Sequence, residues 1–181
     1  TENVTWLGAF FQSVSARTAG FSTYNLGNFT NAGLFVLVIL MFIGASPGST
    51  GGGIKTSTLF VIGNVMKSIM THQHCVSFKR RISEGIIMQA FVVAILSLCV
   101  VIISTFLLCI VEPRFTFMQL LFESTSAFGT VGLSTGITSH LSVLGKIIII
   151  LTMYIGRIGA MTIVTLGVYK EPKTAVYSAE D

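Results

Sequence analysis

The longest apolar run, residues 85–111, is almost uninterrupted and long enough to cross a ~30 Å hydrocarbon core as a helix. A second, 141–168, carries charge only at Lys146 and Arg157. A third, 29–43, is strongly apolar but holds 15 residues, about 22 Å as a helix and too short to span alone. It runs into Gly44-Ala45-Ser46-Pro47-Gly48-Ser49-Thr50-Gly51-Gly52-Gly53, with five Gly and one Pro, a composition no helix survives. A helical pattern resumes over 54–70. The pattern predicts one span broken near its middle or inner half. Irregular backbone at membrane depth is tolerated only inside protein or beside a water-filled cavity. A cytosolic connection between two short helices is the other reading, and the shortness of 29–43 disfavours it.

Two helix-compatible stretches, 4–16 and 116–127, each lead into a turn of small residues and then a longer apolar segment. That order suits a pore loop, in which a short helix dips into the membrane, the backbone turns back, and a full helix follows. The second turn, Gly129-Thr130-Val131-Gly132-Leu133-Ser134-Thr135, resembles the Thr-Val-Gly-Tyr filter of potassium channels. In such a filter, backbone carbonyls replace the ion's water shell. The glycine permits backbone angles that a side chain resists. The pore helix aims the negative end of its dipole at the cation. The first turn, Arg17-Thr18-Ala19-Gly20-Phe21-Ser22-Thr23, matches it at a shift of 112. Phe10/Phe122, Thr18/Thr130, Gly20/Gly132, Ser22/Ser134 and Thr23/Thr135 are identical, and Ala19/Val131 and Phe21/Leu133 are similar. An internal repeat is therefore expected.

Composition sets the class. Hydrophobic residues make up 52% and charged ones 10% of the 181-residue chain, against about a quarter charged in soluble domains. This is the composition of a membrane protein. Lys67, Lys79, Arg80 and Arg81 face one acid in the segment 67–84, which the positive-inside rule places in the cytoplasm. With 85–111 running outward, both pore loops enter from outside and 141–168 returns. The net charge of +4 needs no nucleic acid to explain it. Cys75, Cys99 and Cys109 fit no disulfide framework, and His72-Gln73-His74-Cys75 without a second Cys/His cluster reads as an ordinary turn. The opening inside a pore loop, without Met, suggests part of a longer polypeptide.

Arg157 sits in Tyr154-Ile155-Gly156-Arg157-Ile158-Gly159, near the middle of the last span. A charge there costs roughly 2.5–3.5 kcal/mol on insertion scales and points to function. Tying helices together is an equally weighted reading. Lys146 is expected to snorkel, and Arg17 to point behind the first filter and brace carbonyls. Glu123 is expected to pair with another segment. Gly48 and Gly53 have the spacing of a phosphate-binding loop, but Ile54 puts Lys55-Thr56 one residue out of register and no soluble strand precedes. A nucleotide-binding protein is thus a weak rival. A non-conducting structural membrane subunit is the other.

Four motifs in order, SARTAGFST, GASPGSTGGGIKTS, SAFGTVGLSTG and YIGRIGAMT, resemble the Ktr/Trk/HKT superfamily of cation transporters, and within it the membrane subunits of bacterial Ktr potassium uptake systems. The resemblance implies an all-α membrane protein with four helix–pore loop–helix repeats around one pore, related to potassium channels. Residues 1–84 match the third repeat from its pore helix onward, with a broken second helix and cytosolic connection. Residues 85–181 match the fourth repeat with a cytosolic tail. Thr18, Ala19, Gly20, Phe21, Thr130, Val131, Gly132 and Leu133 would form half of a K+ filter. Gly48, Ser49, Thr50, Gly51, Gly52, Gly53 and Lys55 would lie in an intramembrane gating loop faced by Arg157. The resemblance further implies a transporter, not an enzyme, multi-pass in the cell membrane. Its cargo is K+, with Na+ linkage allowed. Its partners are the remaining N-terminal repeats, a second copy in a homodimer, and a cytosolic ring of RCK-type regulatory subunits. Nucleotide binds that ring, and residues 67–81 and the tail are the candidate contacts. Single-glycine filters with Phe21 and Leu133 in place of Tyr do not imply strict selectivity for potassium over sodium.

Overall fold

A computed structural model describes residues 5–44, 46–49, 51–71, 76–77 and 80–159, without the side chains of 76, 77, 80 and 81. These residues contain six α-helices: α1 Trp6–Ser15, α2 Asn31–Phe42, α3 Thr56–Thr71, α4 Glu84–Val111, α5 Phe117–Gly129 and α6 Val143–Ile158. Single 3-10 turns at Leu26–Asn28 and Thr138–His140 lead into α2 and α6, and two-residue strands Val76–Ser77 and Arg80–Arg81 pair antiparallel between α3 and α4. The fold is mostly helical, as the patterning predicts. The expected ordinary turn at His72–Cys75 and residues 160–181, with the end of the last span and the tail, lie outside the described residues.

Helix starts follow from sequence. Thr5, Thr30 and Ser142 accept a hydrogen bond from the amide three residues on, at Gly8 (3.1 Å), Gly33 (3.2 Å) and Gly145 (3.2 Å). Gln119 Oε1 accepts from the Thr116 amide at 3.1 Å, capping α5 reciprocally. With a mean hydropathy of 3.0 over an 18-residue window, the 28-residue α4 is the one helix among the described residues long and apolar enough to cross a membrane. The 12-residue α2 is shorter than its apolar segment, because the chain leaves the helix at Ile43 to begin the glycine-rich loop.

The centre of the packing is α5, which is buried at Leu120 and throughout 122–129. Two cores flank it. On one side Leu34, Leu37, Val38 and Met41 of α2 meet Phe122, Val131 and Leu133. On the other, Leu108 of α4 and Ile149 of α6 meet Leu120 and Ala127. Full burial of a side chain such as Phe122 contributes about 2–3 kcal/mol by transfer. A buried hydroxyl pair, Ser104 Oγ and Thr152 Oγ1 at 2.7 Å, joins α4 to α6.

The two helix–turn units are offset from the register of the sequence match. Trp6 to Phe117, the starts of α1 and α5, is a shift of 111, whereas Thr30 to Ser142, the two later N-caps, is a shift of 112. The second copy therefore has one extra residue at the end of its pore helix, where Phe128-Gly129 stands against Arg17. The Phe10/Phe122 pairing is corrected by this. Phe11 is the counterpart of Phe122, and Phe10 is 66% exposed while Phe122 is fully buried.

At the far end of α4, Glu112 lies just outside the helix yet is only 1% exposed. Its Oε1 accepts from the Ser142 amide at the start of α6, and Oε2 accepts from Arg114 at 3.0 Å. These bonds, from Ser142 first and Arg114 second, pull its pKa from 4.5 down to about 2. A lowered carboxyl pKa stabilises the fold above the unfolded value and ceases to do so as pH falls through the folded one. Glu112→Gln should therefore lower the thermal midpoint in detergent at pH 7. That deficit should shrink between pH 4.5 and about 2 and vanish below. An equal deficit at every pH would assign the effect to packing.

Candidate functional site

The two small-residue turns share one backbone form. Thr18 (φ 68°) and Thr130 (φ 52°) are the non-glycine residues with positive φ among those described, and Gly20 (φ 77°) and Gly132 (φ 92°) follow two residues later. Left-handed backbone costs an L-residue roughly 1–2 kcal/mol, so a β-branched threonine there must be held in place. The pore helices hold it. The Ala19 and Gly20 amides both donate to Ser15 O at 3.1 Å, and the Thr130 and Val131 amides donate to Ala127 O and Ser126 O at 3.0 Å. The Ser15 hydroxyl donates to Phe21 O, and Ser126 Oγ donates to Leu133 O at 2.6 Å.

This accounting separates the candidate residues. The carbonyls of Phe21 and Leu133 are taken by the two serines. Those of Thr18, Ala19, Gly20, Thr130, Val131 and Gly132 accept no hydrogen bond among the described residues. Ala19 and Gly132 are exposed, Thr18, Gly20 and Thr130 are half-buried and only Val131 is buried, so these carbonyls are open to water or a cation. The turns are also adjacent. A Cβ on Gly20 would collide with the Val131 carbonyl, and one on Gly132 would lie 3.9 Å from Gly20 Cα. The side chains of Val131 and Leu133 are buried in the core behind their turn, whereas Phe21 is 70% exposed.

The glycine-rich loop closes at its base. The Gly44 amide donates to Ile54 O at 2.9 Å, and the Ile54 amide to Phe42 O at 3.2 Å. Its tip reaches the second turn, where the Gly52 amide donates to Thr130 Oγ1 at 3.0 Å. A Cβ on Gly52 would lie 2.9 Å from Phe128 O and 3.0 Å from Gly156 O, and one on Gly156 would collide with Phe128 O. Loop, pore-helix end and α6 thus meet backbone to backbone. Lys55 braces the loop from inside, donating to Ser49 O at 3.0 Å and Gly51 O at 2.5 Å. Gly48 and Gly53 take positive φ, and Thr50 lies outside the described residues.

Arg157 follows Gly156 on α6. Its side chain is exposed and makes no hydrogen bond among the described residues. Among the described residues the loop carbonyls are braced by Lys55. Arg17 is likewise exposed without a partner among those residues and does not brace the first turn. Lys146 is exposed near the outer start of α6. Glu123 does acquire partners, and they surround the end of the second turn: Ser134 Oγ at 2.5 Å, the Thr135 amide at 3.0 Å and Thr138 Oγ1 at 2.8 Å. The spacing that could have found them is Gln12 before Ser22 and Glu123 before Ser134, once the register slip is allowed for.

Paired helix–turn–helix units, the second turn met by a glycine-rich loop, define a mostly α-helical protein. The chain belongs to the TrkH family of cation transport proteins, a family of membrane transporters whose model matches residues 3–178. It is 41% identical over 173 residues to Ktr system potassium uptake protein B of Vibrio alginolyticus, covering 95% of this chain and 38% of that protein. It is 43% identical over 157 residues to the Bacillus subtilis protein of the same name, covering 86% and 35%. It is 40% identical over 159 residues to the potassium/sodium uptake protein NtpJ of Enterococcus hirae, covering 86% and 35%. The chain therefore spans little more than a third of the length of these relatives.

The Gly52–Thr130 bond makes a local prediction. Thr130→Val keeps the shape and removes the acceptor, leaving a buried amide unpaired at a cost of about 1–3 kcal/mol. Hydrogen exchange in the peptide carrying residues 48–53 should quicken about fivefold or more, while Thr130→Ser should stay near wild type. Equal exchange in all three would remove the bond from the account of the loop.

Proposed function

We propose that this chain is the pore-forming part of a potassium uptake subunit, contributing the third and fourth of four pore repeats, at 1–84 and 85–181. The observation that carries this is the pair of adjacent turns with six unbonded carbonyls at Thr18–Gly20 and Thr130–Gly132. Carbonyls that accept from no protein donor are available to a dehydrated K+. Two turns cannot ring an ion. The other two are supplied by N-terminal repeats, a reading supported by the 38% coverage of the Vibrio relative. Phe21 and Leu133 support the filter through their serine-bound carbonyls, and Leu133 also through its buried side chain.

The loop at 44–55 is the gate in this reading. Its bond to Thr130 and its brace by Lys55 support a position against the filter turn. Arg157 adds a positive barrier beside it. The protein is multi-pass in the cell membrane and dimeric. It is regulated by a nucleotide-binding RCK-type ring contacting residues 67–81 and the tail, and the name of the Enterococcus relative supports sodium linkage. The alternative of a phosphate-binding loop is disfavoured by Lys55, whose ammonium is already spent on Ser49 and Gly51 carbonyls.

Gly132→Ser tests the filter in the complete transporter. The residue has φ 92°, so a Cβ forces the turn to shift. The ratio of potassium to sodium uptake should fall about tenfold at matched surface expression, as expected when ~1.4 kcal/mol of differential coordination is lost. An unchanged ratio would refute the assignment. Shortening residues 48–53 tests the gate. Unregulated flux should rise, whereas a silent but well-folded deletion would count against gating.

A further inference from the structure

The two filter turns are alike in backbone but differ in what fixes their outer ends. At equivalent places one turn back along the pore helices stand Gln12 and Glu123, both buried. The Glu123 carboxylate collects Ser134 Oγ (2.5 Å), the Thr135 amide (3.0 Å) and Thr135 Oγ1 (3.4 Å) on Oε1, and Thr138 Oγ1 (2.8 Å) on Oε2. Ser134 in turn accepts from the Gly136 amide at 2.9 Å. Gln12 meets only the Ser22 hydroxyl, at 3.2 Å. That hydroxyl has one proton and a better acceptor in Tyr24 O at 2.7 Å. Gln12 Nε2 is buried with no hydrogen-bond partner among the described residues. The residue matching Thr138 is Leu26, which has no donor to offer.

Val131 and Leu133 pack the second turn against the core, but its outer end is left without such packing. A cavity of about 140 Å³ adjoins it, lined by Glu123, Gly132, Leu133, Ser134, Thr138 and Met153 among others. A turn beside open volume keeps its position through directional bonds, and bonds to a carboxylate are about twice as strong as neutral ones. We infer that Glu123 is a positioning residue for ion selectivity, holding the Thr130–Leu133 turn in its coordinating form, while the Thr18–Phe21 turn with neutral Gln12 behind it is the more deformable quarter of the filter. This rests on the filter reading above. Glu123 touches no ion; it acts through Ser134, Thr135 and Thr138.

The test compares Glu123→Gln, Thr138→Val, Thr138→Ser and Gly132→Ser in the complete transporter, reading potassium and sodium uptake at matched surface expression. A merely structural residue would change the amount of protein and leave the uptake ratio alone. Glu123→Gln keeps the shape and removes the charge assistance, and should lower the ratio about threefold. Thr138→Val removes one donor and should lower it by a smaller factor in the same direction, with Thr138→Ser restoring it. Should Glu123→Gln fail to reach the membrane, the Thr138 pair decides. An unchanged ratio in the Glu123 and Thr138 variants beside a lowered one in Gly132→Ser overturns the role of Glu123 alone. An unchanged ratio in all four overturns the filter reading, and this inference with it.

Discussion

The structure depends on three backbones meeting at the end of α5. The Phe128 carbonyl is pressed by Gly52 from the loop and by Gly156 from α6, and a Cβ on Gly129 would lie 2.8 Å from the Met41 carbonyl of α2. Side chains are excluded on each of these faces, which is why small residues stand there. The meeting determines the rest. It lets α2 and α6 flank one pore helix and seats both cores against it. It also leaves the broken segment nowhere to run except across the turn that follows α5. A loop so placed can move only by parting from Thr130, so any change in its position is felt where the turn begins.

The same turn occurs twice, yet its two environments differ. Each begins with a left-handed threonine, a strain of roughly 1–2 kcal/mol that persists only when the surroundings over-determine it. In the second copy the over-determination is visible in four parts: pore-helix carbonyls, the Ser126 hydroxyl, the Glu123 carboxylate and the Gly52 amide. The first copy has the helix carbonyls and the Ser15 hydroxyl, but its Phe21 faces outward and Gln12 binds weakly. Strain held by many bonds gives a rigid turn, and strain held by few gives a turn that relaxes easily. The difference is encoded by few residues, mainly Gln12 against Glu123 and Leu26 against Thr138.

Helix positions were legible because they depend on local chemistry. The apolar runs 29–43, 85–111 and 141–168 mark helices, and five glycines with a proline mark the break. The repeat was legible from Thr18/Thr130 and Gly20/Gly132, since φ above zero leaves few choices of residue. The slip of one residue was not. An extra Gly129 extends the end of a helix without altering its pattern, and the chance identity of Phe10 with Phe122 hid it. Partners of buried polar groups were illegible for a different reason. Glu123 reaches residues 11 to 15 positions away around a turn, and Lys55 folds back on its own loop, so neither leaves a periodic trace. Arg157 stood out as a charge in an apolar run, but that signal marks cost and not contact.

The contrast between the two pore helices bears on what surrounds this chain. One face of α5 is covered by α2, the helix that follows the preceding turn; Leu34, Leu37, Val38 and Met41 sit against Phe122 there. Among the described residues no helix covers the corresponding face of α1. Trp6 is 92% exposed and Phe11, the counterpart of Phe122, is 42% exposed. A lipid tail could cover the aromatic side chains but offers no acceptor to the Gln12 Nε2 amide, which is buried without a partner among the described residues.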